Sequence, residues 1–216
     1  MTFFYILVEG DADVPVVREI MTRRFHLKEN LNFRIHPHNG IGRLPSNPMK
    51  PPPTHLRGLL DLLPTTLLGM GRYCGEHECV LVLVDTDKTP CRELLSQLNA
   101  MLASLPHKPP RVLLRLAIEE TESWFIADTE ALRKAYPGVN LQILRGIKPD
   151  SVIGAWEKLA EAIGEPLPKK RGHLKYAWAE KIAPHINLDR PFSPSLGKFI
   201  SGVERELQNR QFEEMG

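Results

Sequence analysis

An unbroken apolar hexapeptide, CVLVLV at residues 79–84, restricts the fold more than any other feature of the sequence. A short apolar run without alternating polar residues is typical of a strand that is covered on both faces, as in a parallel sheet. Residues 3–8 and 111–118 form two similar runs, and residues 31–36 predict a fourth strand. We therefore expect a mainly parallel sheet with both faces buried.

Apolar residues at helical spacing separate these strands. The spacing is present in residues 13–25, 56–68 and 90–105, although Pro64 is expected to interrupt the second of these helices. Strands that alternate with helices predict βαβ units, so we expect an α/β fold in which helices flank the sheet. Residues 36–54 carry so many prolines and glycines that we expect a long surface loop there.

The last third of the chain contains helical patterns and no further strand signal. The patterns lie at residues 152–163, 176–182 and 196–207. We expect an α/β core over residues 1–128 and a C-terminal helical extension over residues 129–216. The extension is expected to pack on the core, so that the two form one compact unit.

The composition is that of an ordinary globular protein, with 42% hydrophobic and 25% charged residues. The 28 lysines and arginines nearly balance the 26 acids, so net charge alone does not identify a nucleic-acid-binding protein. Three cysteines are too few for a disulfide scaffold, and no apolar stretch approaches the roughly 20 residues that span a membrane. We expect a soluble, cytoplasmic protein with reduced thiols and no membrane partner.

Carboxylates follow three of the predicted strands, at the point where each strand ends. They are Glu9, Asp85, Asp87, Glu119, Glu120 and Glu122. Ligands of open parallel sheets bind in the crevice beyond the carboxyl ends of the strands, so neighbouring strands would bring these side chains together. Converging carboxylates repel one another, and a hard divalent cation such as Mg²⁺ or Mn²⁺ removes that penalty. The set therefore predicts a metal site.

This interpretation depends on the set rather than on any one acid. Asp85 and Asp87 are two residues apart, so on an extended chain both would point to the same side and could share one ion. Each acid taken alone is equally compatible with a helix cap or a turn, because acidic side chains often follow strands in those roles.

Two short motifs in this set resemble a known domain. VEG at residues 8–10 and the DTD that begins at Asp85 are similar to the motifs of the Toprim domain, which is shared by topoisomerases, bacterial primases and nucleases of the overcoming-lysogenization-defect family. The resemblance implies a Toprim-like (Rossmann-like) fold. It also implies acid/base or metal chemistry for Glu9, and Mg²⁺ binding for Asp85 and Asp87.

The match is closer to a family of small stand-alone Toprim-like bacterial proteins. ETESW at residues 120–124, followed by AD at residues 127–128, is similar to that family's acid-x-acid-x-Trp and Ala-Asp motifs. Lys175, Trp178 and RPFSPS at residues 190–195 resemble its C-terminal motifs, although the phenylalanine is an insertion. The resemblance implies phage defence or nucleic-acid metabolism, with DNA or RNA as substrate and an ATPase of the SMC or ABC type as partner. It also allows a homodimer.

These observations together predict a Mg²⁺-dependent or Mn²⁺-dependent nuclease. Asp85 and Asp87, with Glu120 or Glu122, would hold an ion that polarises a phosphodiester and positions a water molecule. Glu9 would bind a second ion or move protons.

Three basic residues are candidates for contacts with phosphate. Lys175 would stabilise the charge that develops on the phosphate during the reaction. Arg43, in the glycine-bearing loop, and Arg190, in the C-terminal motif, would bind substrate. Each of the three is also compatible with an ordinary solvated side chain.

Two other functions fit parts of the sequence. DTDKT at residues 85–89 also resembles the DxDxT motif of haloacid-dehalogenase-type phosphohydrolases, in which Asp85 would attack phosphorus and Asp87 would be the acid/base. That motif normally lies on the first strand of its domain, and this interpretation leaves Glu9 unexplained. The other alternative is a non-catalytic Toprim-like subunit of an ATPase complex.

A zinc site is the weakest interpretation. Cys74, His77 and Cys79 supply only three ligands at an irregular spacing, and Cys79 is expected in the core of a strand. The three tryptophans lie in helical patterns, and we expect them to pack in the core rather than to stack on bases.

Overall fold

Four parallel strands form one sheet. The computed structural model describes residues 2–167 and 172–213, in which the strands are β1 (Phe3–Val8), β2 (Phe33–Pro37), β3 (Glu78–Asp85) and β4 (Val112–Ala117). Their order in the sheet is β2-β1-β3-β4, and all three pairings are parallel. Each strand lies where an apolar run predicted one, so the α/β class with a parallel sheet is confirmed.

Strand β3 shows why the central apolar run is uninterrupted. Alternate side chains enter the hydrophobic cores on opposite faces of the sheet, with Leu81 and Leu83 on one face and Val82 and Val84 on the other. All four are at most 1% exposed. Because neither face meets water, every position must be apolar. Cys79 is buried in the same strand, and its thiol is free.

Eight α-helices lie in the residues that the structure describes. They are α1 (Val14–Glu19), α2 (Leu59–Met70), α3 (Cys91–Ser104), α4 (Glu122–Ala127), α5 (Thr129–Ala135), α6 (Ala155–Ile163), α7 (Gly172–Ile182) and α8 (Pro194–Glu213). Helix α1 continues directly into a π-helical turn at Ile20–Arg24, and short 3-10 turns lie at Asp11–Asp13 and Ala183–His185. None of these helices is long and apolar enough to cross a membrane.

The helices form one layer on each face of the sheet. Helices α2 and α3 cover the face that Val82 and Val84 enter. Helix α1 and helices α4 to α8 cover the other face, where Trp156, Trp178 and Phe199 share a core with the strands. Of the helices after residue 128, α8 lies against β4, and α5, α6 and α7 contribute buried side chains to the same core. The tryptophans are buried, as the helical patterns predicted.

Helix α2 corrects one prediction. It runs without a break from Leu59 to Met70 although Pro64 lies inside it, so the expected interruption is wrong. A proline inside a helix costs about 3 kcal/mol through a lost hydrogen bond and a steric clash. Leu59, Leu63 and Leu67 are fully buried against the sheet, and this burial offsets the cost. Residues 38–58, between β2 and α2, contain no helix or strand, as predicted.

Candidate active site

The strand order places a crevice between β1 and β3. The chain leaves β1 towards β2 on one side and leaves β3 towards β4 on the other, so these two strands flank the switch point at which ligands bind in open α/β sheets. A cavity of about 820 Å³ opens there. Its acidic lining residues are Glu9, Asp11, Asp13, Asp85, Glu120 and Glu122. Lys175, on α7, also lines this acidic cavity.

Glu9 follows the last residue of β1 and lies at the cavity wall. Burial, together with the nearby charges of Asp13 and Asp87, raises the pKa of its carboxyl group from 4.5 to about 8. Its Oε2 is buried and makes no hydrogen bond to any residue that the structure describes. A buried carboxylate oxygen without a donor is costly, so this atom is available for a cation or for a proton.

Asp85 is the last residue of β3, and strand pairing fixes its position beside Ala117 of β4. Its side chain is only 7% exposed. Burial raises the pKa of this carboxyl group well above its ordinary value, and the charges of Asp13 and Glu9 add to the effect. The strand ends that the sequence predicted to converge therefore bring Glu9 and Asp85 into one cavity.

Lys175 forms ion pairs with two of the acids that follow β4. Its Nζ lies 2.9 Å from Oε1 of Glu120 and 3.5 Å from Glu122, and 5.8 Å from the centre of the Trp156 ring. Burial alone would lower the pKa of Lys175, but Glu122 and Glu120 raise it above its ordinary value, so the ammonium group stays charged. One lysine therefore faces two carboxylates and leaves an excess of negative charge.

The carboxyl groups of Glu120 and Glu122 remain costly to ionise despite their lysine partner. Burial raises the pKa of both carboxyl groups, to about 7 for Glu122, although Lys175 acts in the opposite direction. Oε2 of Glu120 is buried and has no hydrogen-bond partner within residues 2–167 and 172–213. The site therefore contains two such orphaned carboxylate oxygens, on Glu9 and Glu120.

Asp13 is a site residue that the sequence did not reveal. Its carboxylate accepts hydrogen bonds from the Gly10 amide at 3.0 Å and from the Thr121 hydroxyl at 2.8 Å. It is buried, and its charge raises the pKa of Glu9 and of Asp85. Its spacing of four residues from Glu9 was the available signal. His173 and Tyr176 also line the cavity, and nothing in their sequence context marked them.

Asp87 departs from the expected backbone geometry. The chain is not extended after β3, because Asp87 adopts a left-handed conformation with φ of 45° and its amide donates to the carbonyl of Glu119. Its side chain is exposed and does not line the cavity that Asp85 lines. The expectation that the two aspartates point to the same side is therefore wrong. Asp87 is still close enough to raise the pKa of Glu9 and of Glu120.

Glu119 has a structural role that separates it from its acidic neighbours. Its φ is 64°, and its amide donates to the hydroxyl of Thr86 at 2.7 Å. Its carboxylate accepts hydrogen bonds from the amides of Gly154 and Ala155 at 2.7 and 3.0 Å, which are the first amides of α6. A carboxylate at a helix N-terminus satisfies amides that have no partner within the helix. Glu119 thus positions α6.

Arg43 and Arg190 do not line the acidic cavity. Both are exposed. The amide of Arg43 donates to Asp61 Oδ1 at 3.1 Å, which ties the long loop to α2, and the amide of Arg190 donates to Asn187 Oδ1 at 2.9 Å. Neither guanidinium group is brought to the carboxylates.

The serines of the C-terminal motif anchor the ETESW segment. Trp124 Nε1 donates to the hydroxyl of Ser195 at 2.8 Å. Asp150 accepts from the Ser193 hydroxyl at 2.7 Å and from the Ser195 amide at 2.6 Å. All but Asp150 are nearly inaccessible to solvent. These two segments, which the family resemblance singled out together, are thus joined in the core below Glu120 and Glu122.

The chemistry of the site fits a hard divalent cation. Oxygen donors dominate it, several carboxyl pKa values are raised by burial and mutual repulsion, and Glu9 and Glu120 each have an oxygen without a partner. Over the described part of the chain, however, no three His, Cys, Asp or Glu side chains are grouped so that they hold an ion as they stand. Lys175 instead supplies the local positive charge.

Comparison with solved structures identifies the fold. The C-terminal region of the OLD (overcoming lysogenization defect) protein of Xanthomonas campestris pv. campestris, in a structure phased with mercury, matches with a TM-score of 0.52 and 16% identity over 100% of this chain and 99% of that chain. A structure of the same region phased with iodine gives 0.48 and 17% identity, with the same coverage. The resemblance to the OLD family that the motifs predicted is confirmed for the fold.

Comparison of sequences places the chain in a family. No curated protein matches it significantly. A family model described as "Domain of unknown function (DUF4276)" matches residues 8–204, from the end of β1 into α8, and this range includes every acid of the cavity. The chain therefore belongs to the DUF4276 family, with a fold like that of the OLD C-terminal region.

Proposed function

We propose that this protein is a nuclease that depends on Mg²⁺ or Mn²⁺ and hydrolyses phosphodiester bonds of DNA or RNA in the acidic cavity. The observation that carries the proposal is the convergence of Glu9, Asp85, Glu120 and Glu122 on one cavity at the switch point of the sheet. The nuclease-like fold shared with the OLD C-terminal region supports the same function.

The carboxylates would divide into ligands and a base. Asp85, Glu120 and Glu122 would hold the ion, with Asp87 at its solvent side. The bound ion would polarise the phosphodiester and lower the pKa of a coordinated water molecule. Glu9 would accept the proton of the attacking water, because its buried Oε2 lies at the same cavity and has no hydrogen-bond partner among the described residues.

Lys175 would act on the phosphate. Its ammonium group is held charged at the cavity wall by Glu120 and Glu122. With Glu120 and Glu122 neutralised by a bound cation, the ammonium group of Lys175 would be free to contact a phosphate oxygen. There it would stabilise the negative charge that develops as water attacks phosphorus and the bond to the leaving oxygen breaks.

The proposal is tested by a cleavage assay on supercoiled plasmid, single-stranded DNA and structured RNA, with Mg²⁺, Mn²⁺ or EDTA. We expect metal-dependent cleavage that falls by about 10²-fold to 10⁴-fold in Glu9→Gln, because the general base is lost. Glu76→Gln, which changes an exposed acid outside the cavity, is the matched control. Equal cleavage by wild type and Glu9→Gln would contradict the mechanism.

Metal binding is measured separately from activity by thermal unfolding. Mn²⁺ at about 100 times its Kd should stabilise the wild type by about 2.7 kcal/mol, or roughly 5–10 °C in Tm. Asp85→Asn should lose this increase, whereas Glu76→Gln should keep it. A full Mn²⁺ response in Asp85→Asn would place the ion elsewhere.

A non-catalytic subunit is the second candidate function. The structural observation in its favour is that Lys175 already pairs with Glu120 and Glu122, while no ready-made ligand group is present among the described residues. A protein without any Mn²⁺ response would support this candidate. The phosphohydrolase alternative gives no role to Glu9, although Glu9 lines the cavity with a buried oxygen that has no partner among the described residues. A phosphate covalently trapped on Asp85 would favour this alternative.

We also propose a cytoplasmic role in phage defence beside an ATPase of the SMC or ABC type. The support is the likeness to the C-terminal region of OLD, where this fold is one part of a longer protein. Protection against phage in cells that carry the protein with its ATPase should disappear with Glu9→Gln and persist with Glu76→Gln. Equal protection with both variants would show that defence against phage does not depend on the acidic cavity.

A further inference from the structure

A second cavity, of about 500 Å³, lies on the opposite face of β1 and β2 from α1. Four of the residues that line this cavity are called the aromatic ledge below: Tyr5, Arg34, His36 and Tyr73. Side chains of β2 alternate, so that Phe33 and Ile35 enter the core while Arg34 and His36 face the other way. Because these two positions are polar, α2 covers β1 and β3 but leaves the β2 part of this face open.

The register of β1 and β2 groups the rings and the cation. Tyr5 pairs with Arg34, and Leu7 pairs with His36, so these side chains are neighbours on one face. The ring centres of Tyr5 and His36 are 6.3 Å apart and stacked at 28°. Tyr73, which follows α2, meets Tyr5 edge-on at 6.3 Å and is 63% exposed. Tyr73 therefore offers an exposed ring to solvent beside the stacked rings of Tyr5 and His36.

Charge distinguishes the ledge from the acidic cavity. Arg34 is exposed, and among the residues that the structure describes no acidic side chain lines the ledge cavity. Burial lowers the pKa of His36, assisted by Arg34 and His38, so its ring is uncharged at neutral pH and presents a flat heteroaromatic face. Thr65 and Thr66 add hydroxyl groups from α2. Rings, hydroxyl groups and a cation without acids are the surface on which single-stranded nucleic acid binds.

The ledge adjoins the acidic cavity. His38 lines the ledge cavity, and its amide donates to the carbonyl of Val8 at 3.1 Å. Gly40 lines the acidic cavity, and its amide donates to the carbonyl of Glu9 at 3.0 Å. The rims of the two cavities thus meet at the short segment from His38 to Gly40, which runs past the end of β1. A strand that passes over this segment would connect the acidic cavity with the ledge.

We propose that the aromatic ledge binds a single-stranded segment of the nucleic acid whose phosphodiester occupies the acidic cavity. Tyr73 and Tyr5 stack on bases, and Arg34 contacts a backbone phosphate. The inference deepens the proposed function, because it assigns single strands as the substrate form. The inference predicts that the ledge binds single strands without a divalent ion, whereas cleavage requires one.

The test is fluorescence anisotropy with labelled 12-nucleotide dT and rU oligonucleotides in EDTA, where no cleavage occurs. Tyr73→Ala should weaken binding by about fivefold or more, because one stacked base contributes at least about a fivefold change in Kd. Tyr73→Phe should restore binding, since the ring is kept. Phe192→Ala, which removes an exposed aromatic side chain outside both cavities, should bind like wild type.

Salt dependence tests the phosphate contact. Arg34→Ala should reduce the slope of log K against log salt concentration by about 0.7, the value for one phosphate contact on a single strand. Arg145→Ala, at an exposed position outside both cavities, should leave the slope unchanged. Tyr73→Ala and Arg34→Ala should keep the Mn²⁺-induced rise in Tm, which separates a failure of the ledge from a failure of the metal site.

Two results would overturn the inference. One is oligonucleotide binding that is absent in the wild type, or equal in wild type, Tyr73→Ala and Arg34→Ala. The other is a change of oligomeric state: if light scattering shows a wild-type dimer that Tyr73→Ala converts to a monomer with unchanged oligonucleotide binding, the ledge is an interface between copies of the chain.

Discussion

The hydroxyl of Thr121 donates a 2.8 Å hydrogen bond to Oδ1 of Asp13, which is 108 residues away in the sequence. The same carboxylate accepts the amide hydrogen of Gly10. The turn after β1 and the turn after β4 are therefore fastened to each other at the back of the acidic cavity. Glu9 lies on one side of this link and Glu122 on the other, so the link sets the spacing between the acids of different strands.

Removing the Thr121 hydroxyl should destabilise the protein. In Thr121→Val the buried Asp13 carboxylate loses a donor, and we expect the free energy of unfolding to fall by about 1–3 kcal/mol. Urea denaturation measures the change. Thr129→Val, at an exposed position at the start of α5, is the control and should change stability by less than about 0.5 kcal/mol. Equal effects of the two variants would show that the link carries little energy.

Lys175→Met should be destabilising in the metal-free protein at pH 8. It leaves Glu120 and the buried Glu122 without their counter-charge, and breaking a buried pair in this way costs about 3 kcal/mol. The loss should shrink at pH 5, where both carboxyl groups, whose pKa values are raised, take up protons. Lys158→Met breaks an exposed pair with Glu161 and should cost about 0–1 kcal/mol at either pH. A loss in Lys175→Met that is independent of pH would contradict the pairing.

The metal-free protein should lose stability as the pH rises from about 4.5 to about 8. The folded state raises the pKa of Glu9 from 4.5 to about 8, so in this window the folded chain keeps a proton that the unfolded chain releases, and a higher pH favours unfolding. The loss is on the order of 3 kcal/mol, or roughly 6–12 °C in Tm. Scanning calorimetry in EDTA measures it. Glu9→Gln has no such group to titrate and should show a visibly flatter profile, whereas Glu76→Gln should follow the wild type.

Glu119 and Glu122 should respond differently to substitution although they are close in the sequence. Glu119 directly precedes Glu120, and Glu122 follows Glu120 by two positions. Glu119→Ala removes the acceptor of the first two amides of α6, so unfolding should become easier by about 1–2 kcal/mol, while the Mn²⁺-induced rise in Tm is retained. Glu122→Gln should lose most of that rise. The same thermal unfolding series measures both. Loss of the Mn²⁺ response in Glu119→Ala would give this residue a role in the metal site.

The strands and the ends of the strands were predictable from local sequence. CVLVLV had to be a strand buried on both faces, because a run without any polar position fits no surface element of that length. The position of Glu9 and Asp85 at the ends of β1 and β3 followed from the same runs. Helix α2 shows the limit of local inference, because its buried leucines override the effect of Pro64.

Which acids share the cavity was decided only by the packed chain. Glu119, Glu120 and Glu122 are near neighbours in sequence, yet one caps α6 and two face Lys175, because the left-handed turn at Glu119 redirects the chain. Asp87 does not line the cavity, because the backbone adopts a left-handed conformation at this residue as well. Asp13 is held at the cavity by the hydrogen bond that it accepts from Thr121. Apolar patterns depend on burial and are readable locally. The direction of a single carboxylate depends on turn conformations and on partners over 100 residues away, which exist only after the sheet and helices have packed.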